Sequence, residues 1–100
     1  MLVKLCSKSA LSVGEILALK IKGHEVMVVN IGSKIVCLDG RCTHAGAPLA
    51  EGILEGEVLT CPWHYSQFNV VTGEVIRGPA GKPLKTYIIE EKDGIIYFHE

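Results

Sequence analysis

The sequence lacks the features of a membrane protein and of a nucleic-acid-binding protein. No apolar run approaches the roughly 20 residues that a membrane-spanning helix needs. The first residues have neither the basic start nor the apolar stretch of a signal peptide. Lysine and arginine number 10 against 11 aspartate and glutamate, for a net charge of −1, so no basic surface for nucleic acid or an anionic membrane is expected. This composition predicts a soluble, cytoplasmic protein.

A sustained 3.6-residue periodicity is also missing, which predicts an all-β chain with little or no helix. Its 100 residues predict a single domain, residues 1–100, whose core is marginal by itself. Short runs rich in β-branched residues indicate the strands instead. The predicted strands are residues 2–6, 16–21, 26–31, 35–38, 57–60, 68–71, 74–76, 84–90 and 95–98, with hairpin turns at 72–73 and 92–94.

Cysteine is scarce, at four residues, and the four divide into two kinds. Cys6 and Cys37 lie in apolar, strand-like runs, which predicts buried, reduced thiols that act as small hydrophobic side chains. The other two stand in short polar clusters, each beside a histidine. His24 and His99 stand apart from these clusters and are expected to be surface histidines.

The two clusters are Cys42-Thr43-His44 and Cys61-Pro62-Trp63-His64. Residues two apart diverge on a helix face, so Cys42 and His44 could not share a centre from a helix. Glycines and prolines in and around the clusters favour tight turns. The pattern therefore predicts two loops that each present a sulfur and an imidazole to one metal centre.

The residue types alone leave two metals open. Two cysteines and two histidines could close a tetrahedral structural zinc site, although zinc fingers pair like ligands at short spacing. The same set suits a Rieske [2Fe-2S] centre, in which two histidines replace two cysteines on one iron.

The flanking residues resemble the Rieske-type ferredoxin family over most of residues 25–100. The two boxes match Cys-x-His and Cys-Pro-x-His, and further similarity follows in 48–52, 66–69, 72–75, 78–80 and the turn at 93–94. The resemblance implies the Rieske fold, an antiparallel base of strands with a smaller inserted cluster-binding subdomain at about 41–81. It also implies one [2Fe-2S] cluster per chain. The implied ligands are Cys42, His44, Cys61 and His64.

The resemblance further implies a carrier of single electrons, between a reductase and a terminal oxygenase or other redox enzyme. Catalysis by this chain alone is not expected, and the chain is expected to be a monomer or a weak oligomer. One alternative is a small Rieske subunit of a larger oxidoreductase such as nitrite reductase. Another is a zinc-stabilised interaction module.

Several positions near the boxes predict how the centre is tuned. High-potential family members have a Ser and a Tyr at the positions of Ser66 and Phe68, and disulfide cysteines at those of Ala47 and Trp63. The changes at Phe68, Ala47 and Trp63 predict a potential in the lower half of the Rieske range. Trp63 is expected either to cover the cluster or to contact a partner. Tyr65 stands where the family usually has Gly, which predicts a local change in the second loop.

Overall fold

The computed structural model describes residues 1–43, 46–63, 65–78 and 80–99. In these ranges the chain forms three antiparallel sheets, and single turns of 3₁₀ helix at Lys8–Ala10 and Leu49–Glu51. The predicted all-β fold is confirmed. No helix in this part of the chain is long and apolar enough to cross a membrane.

The strands follow one another along the chain with short connections. They are β1 (Leu2–Ser7), β2 (Ile16–Ile21), β3 (His24–Asn30), β4 (Ile35–Asp39), β5 (Ile53–Glu55), β6 (Val58–Thr60), β7 (Gln67–Asn69), β8 (Val75–Arg77), β9 (Thr86–Tyr87), β10 (Ile89–Lys92) and β11 (Ile95–His99). The first sheet has the order β1-β11-β10, the second β2-β3-β4-β9 and the third β5-β6-β7-β8.

The second sheet separates two hydrophobic cores, because side chains alternate between the faces of a strand. Residues 26–29 of β3 are all buried, with Val26 and Val28 on one face and Met27 and Val29 on the other. The base core contains Leu5, Cys6, Leu11, Val26, Val28, Cys37, Ile96 and Phe98. The site core contains Met27, Val29, Leu38, Cys42, Ala47, Leu49, Leu59, Cys61, Phe68, Val70, Ala80 and Leu84. Both predicted metal-binding cysteines thus belong to the site core.

Two details of the strand prediction are wrong. Strand β5 is missing from the predicted set, because its three residues are too few to show an alternating pattern. The predicted strand at 84–90 is divided, since Tyr87 pairs with Cys37 in the second sheet and Ile89 pairs with Phe98 in the first. Ile88 marks the change of sheet and is exposed.

The two cysteines outside the boxes, Cys6 and Cys37, belong to the base core. Cys6 and Cys37 are buried and form no disulfide, and burial raises the pKa of Cys37 to about 12. These observations fit the predicted reduced thiols. His24 is half-buried rather than a surface residue, and its ring lies 6.2 Å from that of Tyr87 and 6.3 Å from that of Phe98, between centroids.

Candidate metal centre

The first cysteine loop, residues 41–48, is folded back on itself by backbone hydrogen bonds. The Cys42 N–H donates to the Ala47 carbonyl at 2.9 Å, and the Gly46 N–H donates to the Cys42 carbonyl at 2.9 Å. Arg41 and Pro48 form an isolated antiparallel bridge at its base. Cys42 therefore lies at the start of a closed turn that follows β4.

The second cysteine loop, residues 61–66, is the turn of the β6–β7 hairpin. The Cys61 N–H donates to the Ser66 carbonyl at 2.7 Å. Just outside the loop, Thr60 pairs with Gln67, whose amide nitrogen also lies 3.2 Å from the Thr60 hydroxyl. Pairing of β6 with β7 therefore positions Cys61, which directly follows the last residue of β6.

The two loops share one backbone pattern. In each, the cysteine N–H bonds the carbonyl five residues later, and the residue four positions after the cysteine has a positive φ. These residues are Gly46, at 71°, and Tyr65, at 60°. Tyr65 thus adopts the same left-handed conformation as Gly46, and the local change expected in the second loop stays a prediction. A side chain strains that conformation by about 1–2 kcal/mol.

The loops bring Cys42 and Cys61 together beneath the surface. The two residues are 4% and 0% exposed, belong to the same hydrophobic core and form no disulfide. Burial, reinforced by the neighbouring Cys42, raises the pKa of Cys61, whereas the Trp63 backbone N–H acts to lower it. The same N–H is suited to stabilise a thiolate at Cys61 when a metal replaces the proton.

Gly52 allows the exit of the first loop to approach the entry of the second. A Cβ atom at Gly52 would lie 2.2 Å from the carbonyl oxygen of Thr60, the residue before Cys61. Its backbone has no positive φ, so this close approach alone requires glycine. Gly52 thus fixes the separation of the two loops.

A third segment, residues 78–83, is attached to both loops by hydroxyl groups. The Thr43 hydroxyl donates to the Lys82 carbonyl at 2.7 Å, and the Ser66 hydroxyl oxygen accepts from the Ala80 N–H at 2.9 Å. Ser66 is fully buried. Because its oxygen accepts this bond, its own O–H remains available to donate to another acceptor.

His44 and His64, the predicted imidazole ligands, lie outside the described residues, as do Ala45 and Pro79. The structure therefore places the two predicted cysteines in one core, and ligation by all four residues stays a prediction. Sequence analysis missed two positioning residues, Thr43 and Gly52. Thr43 stands inside the first box, whereas no sequence signal identifies the close approach at Gly52.

The residues at the rim fall into an exposed pair and a buried pair. Trp63 is 50% exposed and Tyr65 71% exposed, so Trp63 is not a complete cover over the site. Ala47 and Phe68 are fully buried, and neither carries a hydroxyl or thiol that could bond to the centre. Two aromatic rings thus face solvent beside the second box.

The donor set suits an iron-sulfur centre. Two buried cysteines in one core, a backbone N–H that lowers the pKa of one of them and a buried serine hydroxyl provide the ligands and hydrogen-bonding groups that such centres use. Residues 42–50 and 61–73 contain no Asp, Glu, Lys or Arg. A site built this way can hold a cluster of low net charge without burying a competing formal charge.

Comparison with protein families decides the assignment. A model of the Rieske [2Fe-2S] domain matches residues 1–88. The chain belongs to the Rieske [2Fe-2S] domain family. Its cofactor is accordingly one Rieske-type [2Fe-2S] cluster.

Individual relatives of this Rieske chain match over nearly its whole length. The ferredoxin component of biphenyl 2,3-dioxygenase from Rhodococcus jostii (strain RHA1) is 34% identical over 96 residues, covering 95% of this chain and 90% of the relative. The ferredoxin of Sphingomonas yanoikuyae B1 superposes with a TM-score of 0.94 at 29% identity, covering 100% of this chain and 99% of the other.

A second similar structure comes from a complex of two proteins. It is that of reduced oxygenase and oxidized ferredoxin in carbazole 1,9a-dioxygenase, with a TM-score of 0.91 and 34% identity. The match covers 97% of this chain and 91% of the matched chain. The Rieske chain described here is thus similar in sequence and fold to ferredoxins of dioxygenase systems.

Proposed function

We propose that the protein is a Rieske-type ferredoxin that carries single electrons from a reductase to a terminal oxygenase. The observation that carries this proposal is the convergence of buried Cys42 and Cys61 from two loops of matching geometry. The ferredoxin component of one dioxygenase system is 34% identical over 95% of the chain, which favours a carrier over a subunit of a larger reductase. The chain transfers electrons and catalyses no reaction by itself.

We further propose the ligand set of the cluster. Cys42 and Cys61 bind one iron as thiolates, and His44 and His64 bind the other through neutral imidazoles. The adjacency of the two thiols supports the cysteine half of this set. For the histidines the support is their position in the two boxes, within three residues of each cysteine.

Hydrogen bonds from residues of the site to the cluster sulfurs influence the reduction potential. When bound, a Rieske cluster takes up and releases one electron at about −150 to +300 mV. The Trp63 N–H lowers the pKa of Cys61 and so favours negative charge on its sulfur, and we propose that the buried Ser66 hydroxyl donates to the cluster. Phe68 offers no such bond. We therefore propose a potential in the lower half of that range.

The proposed layout is a single domain, residues 1–100, in which about 41–81 form the cluster-binding subdomain. Support comes from the third sheet and both cysteine loops, which all fall between these bounds. We propose a cytoplasmic location, in which a reducing environment maintains the free thiols of Cys6 and Cys37. We also propose that the protein is a monomer or a weak oligomer.

The partners are redox proteins rather than nucleic acid or a membrane. The net charge of −1 offers no basic surface for a polyanion. Exposed Trp63 and Tyr65 lie in the loop that carries His64. Two aromatic rings give a small apolar contact area, as suits the brief encounters of electron carriers, which bury less than about 1,200 Å².

A reductive titration tests the proposal. Dithionite is added anaerobically in measured amounts while the visible spectrum and the EPR signal are recorded. The carrier takes up one electron per chain in a single reversible step, with a potential below the midpoint of the Rieske range. Uptake of no electrons, with one zinc per chain, would instead establish the zinc-stabilised module.

A further inference from the structure

The two cysteine loops carry no formal charge beyond Arg41. Residues 42–50 and 61–73, which include both cysteine loops beyond Arg41, contain no Asp, Glu, Lys or Arg. Arg41 stands directly before Cys42 and is the charged residue nearest to it in sequence. A charge placed there acts on the centre without competition from the loops themselves.

The guanidinium of Arg41 is fixed against the first cysteine loop by two contacts. Its Nη1 donates to the Gly46 carbonyl at 3.0 Å, and its Nε donates to the carboxylate of Glu25 on β3. Glu25 also accepts a backbone bond, from the Gly40 N–H at 2.9 Å. Glu25 thus bonds the backbone of Gly40 and the side chain of Arg41, where the first cysteine loop begins.

Other charges nearby are balanced and do not bond the loop in the described structure. Lys20 acts on Glu25, and Glu51 acts on Arg41, so the group contains two cations and two anions. Arg41 lowers the pKa of the Glu25 carboxyl, which keeps Glu25 anionic at neutral pH. Within this group Arg41 is the member whose charged end bonds a loop that carries a cysteine.

We propose that Arg41 and Glu25 form a charge pair that sets the reduction potential of the cluster, an inference that rests on the proposed function. Reduction adds one negative charge to the site. Arg41 stabilises that charge from the back of the first loop, and the carboxylate of Glu25 offsets part of this effect. The two residues therefore act on the potential with opposite signs.

Both side chains are about half exposed, at 52% for Arg41 and 41% for Glu25. Water and salt consequently screen the pair, so its effect on the potential should decrease as ionic strength rises. If the pair acted only by holding the loop in place, removal of either partner would shift the potential in the same direction. The sign of each shift is therefore the deciding readout.

The test compares the reduction potentials of variants by EPR-monitored titration at low and high salt. Arg41→Gln lowers the potential and Glu25→Gln raises it. Arg41→Lys keeps the charge but loses the planar geometry. Its potential should therefore differ less from that of the unmodified protein than the potential of Arg41→Gln differs. All of these shifts shrink at high salt.

Lys8 provides the matched control. Lys8 and Glu91 form an ion pair of similar exposure, 54% and 46%, at 3.3 Å. Lys8 directly follows β1 and Glu91 belongs to β10, and no ion pair joins either one to the described residues of the cysteine loops. Lys8→Gln leaves the potential unchanged, whereas a shift as large as that of Arg41→Gln would show that the effect is not local.

Two results would overturn the inference alone. They are shifts of the same sign in Arg41→Gln and Glu25→Gln, and no shift in either variant when every protein shows a normal reduced EPR signal. Absence of that signal from the unmodified protein would overturn the proposed function and this inference with it. The signal of the unmodified protein therefore distinguishes the two failures.

Discussion

The first cysteine loop connects the second sheet to the third, whereas the second loop is the turn of a hairpin within the third sheet. Both use the same backbone bond from the cysteine and the same left-handed residue. They differ in what holds them. Side chains at the surface, Arg41 and Thr43, tie the first loop to its neighbours, while strand pairing and buried Ser66 hold the second.

This difference teaches that one local geometry can be supported in two ways. A loop between sheets has no continuous ladder on both sides, so its position depends on single contacts. A hairpin loop inherits its position from the register of its strands. The following predictions test whether the two loops contribute equally to the cluster and unequally to stability.

The largest effect is expected from the cysteines. Cys42→Ala and Cys61→Ala should each abolish the cluster, because each removes a proposed thiolate ligand, whichever way its loop is anchored. Iron and acid-labile sulfide analysis measures this. Cys37→Ala is the control, since Cys37 is equally buried but lies in the base core, and that variant should retain two irons. Full cluster content in either loop variant would contradict the proposed ligand set.

The spacing of the loops is tested next. Gly52→Ala places a Cβ 2.2 Å from the Thr60 carbonyl, which the backbone can relieve only by moving one loop away from the other. We expect a loss of about 3 kcal/mol or more and reduced cluster content. Thermal unfolding, in which about 1 kcal/mol corresponds to 4–8 °C, measures the stability.

Gly81→Ala is the control for Gly52→Ala. Neither glycine has a positive φ, and a Cβ at Gly81 meets nothing within 4 Å. This variant should unfold within a few degrees of the unmodified protein. Equal losses of stability from both substitutions would mean that the close approach of Gly52 to Thr60 does not determine the spacing of the loops.

The hydroxyl bonds to the third segment should differ in strength. Ser66→Ala leaves the buried Ala80 N–H without its acceptor, at a cost of about 1–3 kcal/mol. Thr43→Val removes a bond from an exposed residue and should cost less than about 1 kcal/mol. Ser66→Ala should also lower the potential, because a donor O–H is lost. Thermal unfolding of both variants measures the two stability losses, and redox titration measures the potential. Ser66→Thr, which keeps a hydroxyl, should restore both stability and potential at least in part.

The smallest effects come from exchanging the left-handed residues. Gly46→Ala should destabilise by about 1 kcal/mol, because a Cβ strains the left-handed conformation. Tyr65→Gly should stabilise by about 0.5–1 kcal/mol, since relief of strain exceeds the added freedom of the unfolded chain. Tyr65→Phe, which keeps the strain, should unfold like the unmodified protein. Shifts of equal sign in Gly46→Ala and Tyr65→Gly would contradict the shared geometry.

The sequence predicts the features that are local. Glycines and prolines around the two boxes predict loops, and the boxes predict that Cys42 and Cys61 lie near each other, which their place in one core agrees with. Runs of β-branched residues predict most strands. Each of these signals depends on residues close to one another in the chain.

Features that depend on distant neighbours escape the sequence. The contact of Gly52 with Thr60 depends on the pairing of β5 with β6, and β5 is too short to recognise. The change of sheet at Ile88 is invisible because apolar residues continue through it. The left-handed conformation of Tyr65 is imposed by the closure of its loop against the ordinary preference of a tyrosine.

The most direct test of the central claim is iron and sulfide analysis of the purified protein, with EPR after reduction by dithionite. A cluster held by two thiolates and two imidazoles predicts two irons and two sulfides per chain. It also predicts a rhombic signal whose average g lies below that of an all-thiolate cluster. One zinc per chain, with no sulfide and no signal, would contradict the account and leave the two loops as the parts of a structural zinc site.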